Sequence, residues 1–285
     1  MISLNRLKLK QLLEQFFIED IGDRDITSCI FGDEQIGQID FIAKAAGVFC
    51  GEEVIRAGFS LLDSRVEMVI HKHDGDDVRV GDIIATVSGK VAILLQGERV
   101  ILNLIQRMSG IATKTKEAVN LLNSTHTKIC DTRKTTPGLR MLEKYAVRCG
   151  GGVNHRYGLY DAAMIKDNHI SFAGSISKAV EAVRSNVGHM VKIEVETETK
   201  EQVLEAVTAG ADVIMFDNRK PEEIKEWIEL VPRSIITEAS GGITLENLAG
   251  YGDSGVDYVS LGFLTHSVSS LDISAKVTVN EGEAK

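Results

Sequence analysis

The sequence predicts an α/β protein in two parts: a mixed α/β N-terminal region, then a parallel α/β barrel of about six strands, fewer than the eight of a full barrel. Three observations predict it. From residue 127 onward, short apolar runs alternate with helical segments across short loops, the pattern of repeated βα units on a parallel sheet. Before that point the chain reads as short strands broken by Gly and Asp, with helices between them. No glycine-rich dinucleotide fingerprint marks a switch point, so closure into a barrel is the simpler arrangement.

With 285 residues and 44% apolar composition, the chain has ample material for a core. A net charge of -9 argues against a nucleic-acid or anionic membrane partner, so a basic cluster here is a local site that can focus an anionic ligand. Cys29, Cys50, Cys130 and Cys149 are widely spaced with no C-x-x-C pair, which reads as reduced cytosolic thiols filling structure. No apolar run approaches a membrane span, and the expectation is a cytoplasmic protein.

Residues 3–18 place Leu4, Leu7, Leu12, Leu13, Phe16 and Phe17 at helical spacing and predict an amphipathic helix, followed by an Asp- and Gly-rich loop over 21–30. Short strands are expected within 36–50 and 66–95. The segment GDDVRVGDIIATVSG is similar to the hammerhead strands of lipoyl and biotinyl carrier domains. It lacks the hairpin lysine that carries the prosthetic group there, so it reads as architecture. His71 and His73 share one strand face, but Lys72 and Asp74 around them favour a solvated edge over a metal site. A long helix is predicted over 97–122, with Leu102, Leu104, Ile105 and Met108 on its apolar side and a candidate break at Gly110. Barrel strands are expected at 127–130, 161–165, 191–197, 213–217, 235–239 and 258–261, with helices at 175–185, 200–209, 221–231 and 245–248.

Each of these strands ends in polar groups or glycine, and barrel enzymes keep their chemistry at that rim. The densest stretch is 130–169, where Arg133, Lys134, His155, Arg156, Lys166 and His169 surround a glycine corner at 150–152. Such a crowd of cations repels itself unless an anion is expected. Arginine forks suit carboxylate and phosphate, and lysine suits phosphate as a point charge. In KIEVET, Lys192, Glu194 and Glu196 share one face. An internal Lys192–Glu194 pair is expected, leaving Glu196 to face ligand. Asp217 with Glu196 suits ribose hydroxyls or a magnesium ion. SGGITLEN and SLGF fall in the last two βα loops, where barrels commonly bind phosphate. G-x-x-x-x-G-K-[ST] and G-x-S-x-G are both absent, which removes the main support for nucleotide-triphosphate and serine-hydrolase readings. The residues alone describe a site for a sugar phosphate and a multiply anionic partner. Arg99 reads as a surface charge.

DTRKTTPGLR, GGGVNHRYGLYDAAMIKDNHI, KIEVET, FDN, EASGGIT and SLGFLTHS resemble the quinolinate phosphoribosyltransferases, from about Ile18 to about Leu271 and most densely from Gly97. The resemblance implies a mixed α/β N-terminal domain over 1–110, completed by about 272–285, and an open or incomplete α/β-barrel catalytic domain over 111–271. It implies homodimers or dimer-based hexamers with sites at subunit boundaries. The implied reaction is a pentosyl transfer in NAD biosynthesis. Quinolinate and phosphoribosyl pyrophosphate give nicotinate mononucleotide, pyrophosphate and CO2, with Mg2+. By motif, Arg133, His155, Arg156 and Lys166 grip the two carboxylates of quinolinate, and Arg99 reaches in from the neighbouring subunit. Lys134 serves the pyrophosphate. Glu196 and Asp217 serve the ribose and the metal, which rides mainly on pyrophosphate. Ser240, Gly241, Gly242 and Gly262, with His266, hold the 5-phosphate.

Arg24 departs from the pattern, and the tail after Leu271 is not recognisable. A family associated with molybdenum transport shares DTRK and the glycine corner, but the KDNH segment at Lys166 to His169 favours the enzyme. A nicotinate phosphoribosyltransferase would take the single-carboxylate substrate, and an anion-binding carrier module would bind ligand without making product.

Overall fold

A computed structural model describes residues 4–32 and 35–279. The first elements are α1 (Arg6–Ile21), β1 (Ile36–Ala43), β2 (Gly47–Val48), α2 (Glu52–Leu62), β3 (Glu67–Ile70), β4 (Asp77–Val78), β5 (Ile83–Lys90) and α3 (Val91–Leu122). β6 (Lys128–Cys130), α4 (Arg140–Cys149), β7 (Ala163–Ile165), α5 (Asp167–Ala173), α6 (Ile176–Asn186), β8 (Ile193–Thr197), α7 (Lys200–Thr208) and β9 (Val213–Asp217) follow. The chain closes through α8 (Pro221–Trp227), β10 (Ile236–Ser240), α9 (Ala249–Gly252), β11 (Tyr258–Ser260), α10 (Phe263–His266) and β12 (Ile273–Val279). Two compact units result: Met1–Lys114 with Thr136–Gly151 and Ser267–Lys285, and Thr115–Thr135 with Gly152–His266.

In the first unit an antiparallel sheet runs β12-β1-β5-β3. β1 alternates, burying Ile39, Phe41 and Ala43, as a strand with one face on a core must. α1 is capped by Asn5, whose side chain accepts from the Lys8 amide, and it buries Leu9, Leu13 and Phe17 at i, i+4 and i+8. Leu7, expected on that face, is 78% exposed. Phe41 and Phe59 meet with ring centroids 6.1 Å apart.

α3 starts at Val91, earlier than the sequence reading, and Gly110 does not break it. Both of its interior glycines mark close approaches. A Cβ on Gly97 would lie 2.7 Å from the Phe59 ring, and one on Gly110 would lie 2.2 Å from the Ser269 carbonyl oxygen. The His71 ring bonds Thr86, and the His73 ring pairs with Glu52 at 2.8 Å. Cys50 and Cys149 come together beside Asp74, a meeting that their sequence spacing did not announce. The expected contribution of residues 280–285 to the first domain, and the Cys29 side chain, lie outside the described residues.

The second unit is built on a six-stranded, wholly parallel sheet ordered β6-β11-β10-β9-β8-β7. Chain order is thus kept around the sheet, with β6 and β7 as the two edges, which makes an open barrel. Ile193, Val195, Ile214 and Phe216 are buried on the outward face, and Val203 and Ala206 of α7 and Ile224 and Trp227 of α8 are buried with them. Phe216 meets Trp227 edge-on at 6.3 Å. Residues of opposite parity, Glu194, Glu196, Met215 and Glu238 among them, line interior cavities. The short helix expected at 245–248 is a turn, and α9 follows it at Ala249–Gly252. α5, absent from the sequence reading, buries none of its side chains and so carries no apolar stripe to betray it.

Candidate active site

Asp131, which directly follows β6, is fully buried and organises the loop opposite it. Its carboxylate accepts from Asn154 Nδ2 at 2.6 Å and from the His155 amide at 2.9 Å. Asp161 accepts from the amides of Tyr157 and Gly158, and Arg156 Nη1 donates to the Ala162 carbonyl at 3.0 Å. These bonds fix the chain direction at His155 and Arg156.

His155 Nδ1 accepts the Arg156 amide proton at 2.8 Å, which puts the ring proton on Nε2. Nε2 lies 3.0 Å from Glu194 Oε2 and 3.6 Å from Glu238 Oε2. The ring is therefore engaged downward by interior carboxyls. Glu194 pairs with His155, not with Lys192, which is exposed just before β8. Burial pushes the Glu238 carboxyl up to about 8, Glu194 adds repulsion, and His155 opposes both.

Above this layer, at the carboxyl ends of the strands, opens a cavity of about 610 Å³. Arg133, Lys134, Arg156 and Lys166 line it on the cationic side, with His155 at its floor. Glu196, Asp217, Ser240, Gly241 and Gly242 complete the wall. The cationic crowding is real: desolvation first, and then the charge of Arg133, pull the Arg156 guanidinium below its ordinary range. Lys166 forms an ion pair with Glu196. Burial raises the Glu196 carboxyl, against the pull of Lys166 and with added repulsion from Asp217.

The glycines at the rim have steric reasons. Gly241 sits at φ 82°, where a Cβ would lie 2.3 Å from Asn218 Oδ1; Asn218 itself donates to Asp217 Oδ2 at 2.8 Å. A Cβ on Gly262 would lie 2.9 Å from Lys134 Cδ and 3.2 Å from the His266 ring, so these three residues adjoin. The Thr265 hydroxyl donates to the Lys134 carbonyl at 2.8 Å and ties that loop down.

Among the described residues, two side-chain groups have spacing that could hold a metal, and neither is Glu196 with Asp217. In Cys50–Asp74–Cys149 the carboxylate already accepts from Gly51 N, Glu52 N and the Tyr145 hydroxyl, capping α2. His155–Glu194–Glu238 is the floor already described. Glu196 and Asp217 do share a recess of about 150 Å³ with Asp167 and Glu198, an all-oxygen donor set of the kind hard cations prefer.

The quinolinate phosphoribosyl transferase C-terminal domain model matches residues 111–276, and the N-terminal domain model matches residues 25–109. The chain belongs to the quinolinate phosphoribosyltransferase family. A relative from Bacillus subtilis, a probable carboxylating nicotinate-nucleotide pyrophosphorylase, is 60% identical over 97% of this chain and 96% of its own. The corresponding protein of Synechocystis is 42% identical over 94% and 92%. The crystal structure of NadC from Streptococcus pyogenes superposes with a TM-score of 0.95 at 39% identity, covering 99% of this chain and 100% of that one.

Arg99 and His169, both singled out in the sequence, are absent from the lining of the rim cavity. Arg99 lies on α3 in the first unit, exposed beside Glu98. His169, counted among the cations, instead caps α5: its Nδ1 accepts the Lys166 amide at 2.9 Å. The sequence reading gave no role to Asp131, Asn218 or Glu238. Asp131 and Asn218 each follow a strand-ending motif residue or sit inside the motif, so their position was visible while their bonds were not.

Proposed function

We propose that the chain transfers the phosphoribosyl group of phosphoribosyl pyrophosphate to quinolinate with loss of CO2, giving nicotinate mononucleotide and pyrophosphate in NAD biosynthesis. The observation that carries this reading is the rim cavity, which sets Arg133, Arg156 and Lys166 against Glu196 and Asp217 across one space. Arginine forks and a lysine suit a planar diacid, and carboxylates suit a sugar that becomes positive as pyrophosphate departs.

In this reading Arg133, Arg156 and Lys166 hold the two carboxylates so that the ring nitrogen faces C1 of the ribose. His155 supports Arg156 from below, since its ring bonds the Arg156 amide. Lys134 meets the pyrophosphate, and Ser240, Gly241, Gly242, Gly262 and His266 serve the 5-phosphate. Glu196 and Asp217 contact the ribose hydroxyls and steady the oxocarbenium-like transition state. Their recess fits Mg2+, which when bound neutralises the departing pyrophosphate. Attack by a neutral ring nitrogen needs no base. Once quaternary, that nitrogen stabilises the electron pair left when the adjacent carboxylate departs.

A homodimer, or a dimer-based hexamer, in the cytoplasm completes the proposal, with Arg99 entering the neighbouring site. Its exposure on α3 leaves it available for that, and Tyr160 and Phe172, 80% and 93% exposed, leave apolar surface for a partner to cover. No helix among the described residues is long and apolar enough to cross a membrane. The test is purified protein with phosphoribosyl pyrophosphate, quinolinate and Mg2+. Equal release of mononucleotide and CO2 is expected; turnover of nicotinate instead of quinolinate, or binding without product, contradicts the reading.

A further inference from the structure

When CO2 leaves the ring, the C–C bond breaks and its electron pair stays on C2. A proton has to reach that carbon to complete the product. None of the groups holding the substrate is suited to supply it: Lys166 is ion-paired to Glu196, and the arginines do not give up protons.

The barrel interior offers another group. Besides the rim cavity, a second cavity of about 370 Å³ lies toward the amino-terminal ends of the strands, lined by Ala163, Lys192, Val213, Ile236 and Tyr258 where those strands begin. Among the described residues, three line both: His155, Arg156 and Glu238. Glu238 thus belongs to the partition between the two spaces. It is 3% exposed, its Oε1 is buried without a hydrogen-bond partner, and its Oε2 is 3.6 Å from His155 Nε2. Glu194 takes the shorter imidazole contact, at 3.0 Å, and its Oε1 is likewise buried without a partner, but of the two carboxyls Glu238 is the one that lines both cavities. A carboxyl buried as deeply as Glu238, with one oxygen unpartnered, is stable only with its proton on.

We propose that Glu238 is the catalytic acid that protonates C2 after decarboxylation, and that it regains its proton through the cavity on the far side of the partition while substrates fill the rim. The inference rests on the phosphoribosyl transfer and decarboxylation read above. The balance is simple: CO2 leaves, the pair on C2 takes the Glu238 proton to form C–H, and Glu238 is left as carboxylate until water in the far cavity returns a proton. The groups facing Glu238 fit this cycle. Glu194 and Glu196 on β8 disfavour its ionised form, whereas His155 and the adjacent Ser260 hydroxyl steady it for the moment it exists. Arg156, which shares both cavities, and Arg133 at the rim carry the balancing positive charge. Burial, the largest influence, holds the carboxyl near 8, so it is protonated at neutral pH.

The test is Glu238→Gln, followed by rapid quench with pyrophosphate and CO2 counted separately. The wild type is expected to release them together. The pair on C2 can recapture CO2 held in the site until a proton traps it, so protonation commits the cleavage. The variant is therefore expected to release pyrophosphate at close to the wild-type rate, to form CO2 and final product about 100-fold more slowly, and to accumulate the unreacted diacid mononucleotide. CO2 that keeps step with pyrophosphate in the variant, at the wild-type rate or at a uniformly lower one, overturns the proposal, the latter by showing a merely structural role. A wild type that makes no pyrophosphate from these substrates refutes the phosphoribosyl reading itself, a distinct result. Should the variant fail to fold, the wild-type profile decides: product formation is expected to fall as pH rises through about 8, with mononucleotide accumulating. A flat profile across that range overturns the assignment.

Discussion

Replacing Gly241 by alanine adds one methyl group at φ 82°, and the same change at Gly242 adds one at φ 64°. Both substitutions carry the cost of a side chain in left-handed backbone, about 1–2 kcal/mol. Only one carries a clash. At Gly242 the new Cβ meets nothing within 4 Å, while at Gly241 it lies 2.3 Å from Asn218 Oδ1 and 2.9 Å from the Asn218 amide. The first of these is more than about 1 Å short of ordinary contact. Asn218 has to move, and it is held at φ 54° with its side chain donating to Asp217. The clash adds about 1–3 kcal/mol. Losing the bond that orients Asp217 weakens the ribose side of the site by about tenfold.

Thermal unfolding and titration with phosphoribosyl pyrophosphate separate the two effects. Gly242→Ala is expected to lower the unfolding midpoint by a few degrees, at about 2–4 °C per kcal/mol, and to keep affinity within a factor of about three. Gly241→Ala is expected to melt lower still and to lose roughly tenfold in affinity. Equal melting and equal affinity in the two variants would refute the packing argument for the 240–242 loop.

Three further outcomes follow from the same geometry. Arg133→Ala is expected to lower quinolinate turnover by about 100-fold, the loss of charged hydrogen bonds worth about 3 kcal/mol, and Arg133→Lys to recover only part because lysine lacks the fork; unchanged turnover contradicts the cationic wall. Glu238, raised to about 8 in the fold from an ordinary 4.5, takes up a proton on folding between those values. Stability is therefore expected to fall as pH rises across that window, by a few kcal/mol in all, and Glu238→Gln to flatten the slope in denaturant titrations. Gly110→Ala would put a methyl group against the Ser269 carbonyl and is expected to destabilise by about 3 kcal/mol; circular dichroism melts that match the wild type would refute that close approach.

Much of the barrel was readable because its strands carry their own periodicity. The 213–217 run matches β9 residue for residue, and the charged ends of β7, β8 and β9 all reach the rim cavity. The alternation in KIEVET correctly put Glu194 and Glu196 inside. What escaped the sequence depends on contacts between distant strands. The partner of Glu194 could not be read from β8, because His155 arrives 39 positions earlier through a loop fixed by Asp131. Lys192 looked like the partner only because it was near in sequence. His169 was read as a cation since its type suggests charge, whereas its bond to the Lys166 amide makes it a cap. The start of α3 was missed because Gly97 resembles a helix boundary until the Phe59 ring packed against it is seen.

The most direct measurement is calorimetric titration of the protein with quinolinate and with nicotinate under one set of conditions. The cationic wall of Arg133, Arg156 and Lys166 predicts that quinolinate binds about 10- to 100-fold more tightly, since its second carboxylate gains charged hydrogen bonds worth about 1.5–3 kcal/mol. Equal affinities for the two acids would contradict it.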